Sequence, residues 1–424
     1  LKTLPGRLRR LIANSSFVHP RTQEEHNFRL LCLNTAMVGV GQGGIITFMP
    51  IFFARQGASP AMLGWLASAP SLMVVLFGLL GVSVAERYAD QARASALWVL
   101  PVRFAYLLCA LLPFWLPPER LLPVLLIVWT VRAIPLTVSM PTWTSVLSRA
   151  VSPQKRARLN GTRWAFMSVA VAVSSALFGL MLDRLPSPLN YQLVFFISTL
   201  FTLLDPWFFS HVRVPLLERK VAVREHTTPW RRLVDYIAPV VRHKPFVVFL
   251  AATTLYRITL FVPGPLFTLY WVNDLAASDT MIGLRSTVGY AALVVGYLFW
   301  GHTANRIGHR RLLMGAALVT ALYPILTSFA PSAIWLLPIA VLWGLAAAGV
   351  DIGLFDITMA SWPTERQPLF GAVWNMTAEF SAFLGPLIGA ALPSVMEVST
   401  ALLVVGVVQA LTTVPFLALP RDEH

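Results

Sequence analysis

Charge is what this chain has least of. Only 12% of its 424 residues are Asp, Glu, Lys or Arg, while 56% are apolar, against the ~25% charged of an ordinary soluble domain. That balance, with a mean hydropathy of +0.67, excludes a water-soluble globule and leaves a protein that crosses the bilayer many times. Cysteine is nearly absent: Cys32 and Cys109 both fall in apolar runs, where a buried free thiol is expected rather than a disulfide or metal site. All eight histidines lie outside the apolar runs, so a proton carrier at membrane depth has to be a carboxylate. The sequence has no paired metal ligands, no nucleophile elbow and no phosphate-binding loop, and no catalytic residue, metal or cofactor is expected. A large soluble sensing domain is also missing. The chain begins at Leu1 without a methionine, and its first apolar run, from about Leu30, is too long for a cleavable leader.

What is present is a series of apolar runs of about 20 residues, the length that spans a bilayer. Twelve are predicted, near 30–53, 62–84, 96–116, 121–146, 164–182 and 191–209, then 246–269, 281–300, 312–329, 334–359, 371–392 and 400–419. The chain thus divides into a tail (1–29), a six-helix bundle (30–210), a linker (211–244), a second six-helix bundle (245–419) and a short tail (420–424). A net charge of +14 would suit nucleic acid, but the basic residues sit in short turns between apolar spans, and no nucleic-acid partner is expected. Of the 33 Lys and Arg residues, 26 lie on the side of the two tails and three, Arg55, Arg120 and Arg184, on the other; Arg103, Arg132, Arg257 and Arg285 fall within runs. The positive-inside rule then puts both termini in the cytoplasm. In the linker, TPWRRLVDYI reads either as a surface helix with Trp230, Leu233 and Ile237 toward lipid, or as a plain connection.

The two bundles repeat one another. At an offset of 210, Pro153, Arg156, Leu159, Gly161, Trp164, Leu177 and Gly179 match Pro363, Arg366, Leu369, Gly371, Trp374, Leu387 and Gly389. At an offset of 219, Ala58, Ser59, Met62 and Gly64 match Ala277, Ser278, Met281 and Gly283, and Glu86–Arg87 falls on Asn305–Arg306. Proline, arginine, glycine and tryptophan in register are what a duplicated six-helix unit leaves behind.

The basic turn GHTANRIGHRR, Gly301 to Arg311, resembles the signature between the second and third helices of each half of the major facilitator superfamily. Gly301, Arg306, Gly308, Arg310 and Arg311 fit it, whereas Asn305 stands where the family has Asp. The equivalent turn of the first half, GVSVAERYADQARA, keeps Glu86 and Arg87 but not the second glycine. The resemblance covers nearly the whole chain. It implies an all-α membrane protein of twelve transmembrane helices in two pseudo-symmetric halves, moving a small solute by alternating access through a cavity lined by spans one, four, seven and ten. It also implies a cytoplasmic gate at these turns, with Glu86 set against the start of a helix near Gly371. The fifth span lacks the Gly-Pro pair of the family's drug/proton antiporters.

Charges at membrane depth cost at least ~2.5 kcal/mol each and therefore face a cavity or a partner. Arg132, beside Pro135 and Pro141, and Arg257, ahead of Pro263–Gly264, are candidate substrate contacts, because guanidinium suits a carboxylate or phosphate; a structural ion pair is the alternative. Asp351, Asp356 and Glu379 are the proton-coupling candidates. The two aspartates lie about 140° apart round the helix, with Asp351 nearer mid-membrane. Glu379 shares a face with Asn375, where an interhelical hydrogen bond is the competing explanation. Gln42, Trp143, Tyr256 and Asn375 are further pocket candidates, with Trp374 behind them; aromatic residues also settle at membrane interfaces for no other reason. Arg285, Arg103 and Asp205 rank lower, as snorkelling or structurally paired groups. The expected partners are a small solute, anionic or amphiphilic, the bilayer and protons, around a monomer; a uniporter, or a receptor or scaffold on the same fold, is the alternative. Four lysines against 29 arginines suggest a GC-rich prokaryote and hence its cytoplasmic membrane.

Overall fold

A computed structural model describes residues 17, 19–187, 189–217, 238–361 and 367–419. Among these, twelve helices are long and apolar enough to cross a bilayer: α1 (Gln23–Arg55), α2 (Pro60–Ala85), α3 (Gln91–Phe114), α4 (Pro118–Arg149), α5 (Pro153–Arg184), α6 (Leu189–Ser210), α7 (Lys244–Asp274), α8 (Asp279–Ala304), α9 (His309–Ser328), α10 (Ala333–Phe355), α11 (Leu369–Ser394) and α12 (Val398–Ala418). The candidate surface helix at 228–237 and most of both tails lie outside the described residues.

Local chemistry starts and bends these helices. Thr22 and Glu25 form a reciprocal capping box at α1, and Ser59, Asp90 and Ser278 accept backbone N–H bonds at the starts of α2, α3 and α8, satisfying donors that hydrocarbon would leave unpaired. Proline does the bending. Helix α4 breaks at Arg132, between segments Pro118–Val131 and Ala133–Arg149, and α7 breaks at Val262 before Pro263. Helices α1 and α7 each carry one π-helical turn, Gln42–Ile46 and Tyr270–Asp274. Several helices outrun their predicted apolar cores: α5 begins at Pro153 rather than near Trp164.

An even number of spans returns the chain to the side on which it entered, which we call the terminal face; the other is the far face. Helices α1–α6 and α7–α12 form the two halves, joined where α2 packs on α11 and α5 on α8. Those contacts gather at the far face. One buried cluster there runs through both halves, from Phe52, Leu66 and Leu182 to Leu266, Trp271 and Ile282. Toward the terminal face the core splits in two, one cluster from Leu30 to Val212 and another from Val240 to Leu419. Glycine permits the far-face approach: a Cβ at Gly64 would lie 2.4 Å from the Ala390 Cβ, and one at Gly283 would lie 2.2 Å from the Ser175 carbonyl oxygen. Further along the same helices, Gly78 and Gly161 have nothing within 4 Å of that position. The halves are sealed at the far face and parted by a gap at the terminal face.

Candidate functional site

The seal is polar as well as apolar. Asp279, at the start of α8, is 4% exposed; it accepts bonds from Arg55 Nε of α1 at 3.0 Å and from the Tyr191 hydroxyl of α6 at 2.8 Å, with Arg55 Nη2 at 2.9 Å. Asp183, near the end of α5, accepts the backbone N–H groups of Asp279 and Thr280 at 3.0 and 2.8 Å, so a carboxylate of one half caps a helix of the other. Thr287 of α8 donates to the Ala172 carbonyl of α5 at 2.6 Å. None of these residues was singled out from the sequence. The available signal was the placement of Arg55, Asp183 and Asp279 in or beside loops of the same face.

Along the gap the second half gathers a mixed-charge cluster. The Arg257 guanidinium of α7 lies over the Trp374 ring of α11 at 3.8 Å and within electrostatic range of Asp351 of α10 and Glu379 of α11. Among the described residues it makes no direct ion pair with either, and its Nη1, like the Trp374 Nε1, is buried without a hydrogen-bond partner. Asp351 is exposed and accepts a 2.7 Å bond from the Tyr297 hydroxyl of α8. Arg257 is thus a cation with an unused N–H group near carboxylates that it does not touch, and such a buried donor calls for a partner. Asn375 is exposed one residue from Trp374. Gln42, in the π-helical turn of α1, faces the Tyr290 hydroxyl of α8 across the two halves. Arg285 of α8 stands over Trp271 at 4.6 Å and bonds the Tyr323 hydroxyl, an aromatic setting that its low sequence ranking did not foresee.

Other candidates lie elsewhere. Tyr256 is fully buried, with its hydroxyl 2.7 Å from Thr320 Oγ1 and its ring against Phe416; it packs the bundle interior rather than the gap. Apolar neighbours on α9 and α12 claim its ring, which a window of sequence around Tyr256 does not reveal. Arg132 stacks on Trp129 at 3.7 Å and reaches the Tyr106 hydroxyl at 3.4 Å, so it sits against α3. Arg103 and Asp205 form a buried ion pair joined by Asn34. Trp143 lies under Arg163, at 4.8 Å, and Arg163 is a buried residue of α5 rather than of a loop. The side chains of Asp356 and Asn305 lie outside the described residues.

The signature turn keeps its backbone role. Gly308 has φ 86° and ends the helix that began at Asp279, a conformation costly for residues with a Cβ. Arg310 bonds the Leu417 carbonyl within its own half, while Arg306, Arg311, Gly301 and Arg87 are exposed. Glu86 is exposed too, and among the described residues its carboxylate has no partner; residues 362–366, ahead of α11, lie outside the described residues. Among the described residues no three His, Cys, Asp or Glu side chains gather as a metal site.

The family model described as Major Facilitator Superfamily matches residues 31–263 and 249–424. An uncharacterized MFS-type transporter, YuxJ, of Bacillus subtilis (strain 168) is 27% identical over 238 residues, 54% of this chain and 58% of that protein. Organic cation/carnitine transporter 7 of Arabidopsis thaliana is 28% identical over 134 residues, 30% of this chain and 25% of that protein. The matched region therefore spans from a quarter to under two thirds of these relatives' length. Among solved structures, the nucleoside transporter NupG superposes with a TM-score of 0.70 at 12% identity, over 92% of this chain and 99% of its own, a likeness of fold.

Proposed function

Because the chain belongs to the major facilitator superfamily, whose members carry solutes through membranes, we propose that it is a proton-coupled secondary transporter of a small anionic or amphiphilic organic solute. The terminal face is cytoplasmic by the basic-residue count, so the gap opens inward and the far-face seal closes the outer side. The observation that carries the reading is the Arg257, Asp351 and Glu379 cluster at this gap, with an Arg257 N–H left without a partner.

Asp351 and an anionic solute compete for the same guanidinium. Protonating Asp351 removes the competitor and favours solute on Arg257, and coupling of this kind is reciprocal. Trp374 holds the guanidinium flat, and Tyr297 fixes one carboxylate oxygen. Rocking of the halves about the far-face contacts exposes the cluster to each side in turn. The test is flux in proteoliposomes under an imposed pH gradient, with a panel of organic anions, sugars and amphiphilic drugs. Gradient-driven flux of an anion that collapses in Asp351→Asn supports the reading. Flux equal in both proteins and indifferent to the gradient overturns coupling through Asp351.

A further inference from the structure

Away from the Arg257 cluster, the first half contains a pocket of about 310 Å³, at the lower end of the range that takes small molecules. Its walls come from α1, α3, α4, α5 and α6 alone, so it belongs to one half and not to the seam between them. The lining is divided. Trp143, Trp164, Met140 and Met167 make an apolar wall, and Arg163 stands beside it.

Arg163 is 6% exposed, and its bonds are all to neutral groups: Nε donates to Thr35 Oγ1 at 3.0 Å, Nη1 to Asn160 Oδ1 at 3.3 Å, and the Trp143 ring lies below. Among the described residues no carboxylate pairs with it. Asp205, the acidic residue in the lining, is already engaged by Arg103 and Asn34. A desolvated guanidinium with no counter-charge is costly in a bilayer-spanning half. The pocket beside it is where a counter-charge would fit.

We propose that this pocket binds an amphiphilic monoanion, its carboxylate or phosphate head on Arg163 and its short apolar body along Trp143, Trp164 and the two methionines. The pocket shares no lining residue with the Arg257, Asp351 and Glu379 cluster, so the two readings stand or fall independently. Such an anion has two sources, a free fatty-acid-like molecule or an anionic lipid, and the same chemistry serves both.

The test uses the purified full chain in neutral detergent. Octanoate binding is measured by calorimetry, and phosphatidylglycerol is added as a competitor against phosphatidylcholine. The expected result is saturable octanoate binding that Arg163→Gln weakens by about 10- to 100-fold, the weight of a charge-assisted hydrogen bond. Ser139→Leu, which fills the pocket while leaving Arg163 in place, should abolish it. Displacement by phosphatidylglycerol and not by phosphatidylcholine assigns the site to lipid; no displacement assigns it to the free amphiphile. Thermal unfolding checks that each variant is folded. Absence of binding to both probes, or binding that survives both Arg163→Gln and Ser139→Leu, overturns the proposal.

Discussion

Replacing Asp279 by asparagine tests the far-face seal most directly. The carboxylate takes one hydrogen bond and a second ion-pair contact from Arg55, and one hydrogen bond from Tyr191; the amide keeps its size and can still meet Tyr191, but loses the charge. Breaking a fully buried pair costs about 3–5 kcal/mol. Asp279 is buried, whereas the Arg55 side chain is 31% exposed and regains water when released, so the cost here is about 2 kcal/mol. This cost falls on the sealed state alone, and it shifts the ratio of unsealed to sealed molecules by about 30-fold. An unsealed fraction of ~1% would become about a quarter. Spin labels on Leu189→Cys and Val395→Cys read this ratio as a distance distribution: both sites are exposed at the far face, one in each half, and native Cys32 and Cys109 are buried. A longer-distance population should grow in Asp279→Asn and, less, in Tyr191→Phe. Distance distributions that superimpose on the parent's, in folded protein, would refute the latch.

Gly283→Ala should act in the same direction by steric means, since its Cβ meets a backbone oxygen of α5 that has no side-chain freedom to yield; the same labels report it. Arg103→Leu leaves Asp205 charged and buried beside Asn34 and should lower stability by about 3–5 kcal/mol, with most of the loss recovered in Arg103→Leu/Asp205→Leu; thermal unfolding in detergent measures both. Tyr256→Phe removes one buried hydroxyl contact and should cost about 1 kcal/mol of stability, read by the same thermal unfolding.

Twelve spans and their duplication were legible because the bilayer imposes a length and the repeat preserves proline, glycine and arginine in register. Span ends were less legible. Helix α5 continues past the apolar stretch to Pro153, so Arg163, one residue outside the run predicted from 164, lies within the helix. The Arg257 cluster was half visible: charge at membrane depth pointed to Arg257, Asp351 and Glu379, but their common neighbourhood depends on how α7, α10 and α11 pack. Tyr256 failed for the same reason, since a helix with apolar residues all round does not announce which face meets the gap. The seal was missed because Asp183 and Asp279 sit in or beside ordinary connecting turns. Their partnership exists only once the halves meet.

The π-helical turn at Gln42–Ile46 sets the rotational phase of everything that follows it in α1. An α-helix advances about 100° per residue, and a π-helical turn accommodates one residue more than the α-helical path needs. Beyond it, the segment Thr47–Arg55 is turned relative to the segment before it, and that turn aims Arg55 at Asp279. Helix α1 therefore behaves as a key with a set angle between bow and bit. Deleting one residue from the regular segment Gln23–Gly41, with the π-helical turn left in place, would nearly preserve the span's length yet swing Arg55 about 100° off the lock, whereas deleting one glycine from Gly43–Gly44 would let the turn close to an α-helix with the bit still aligned.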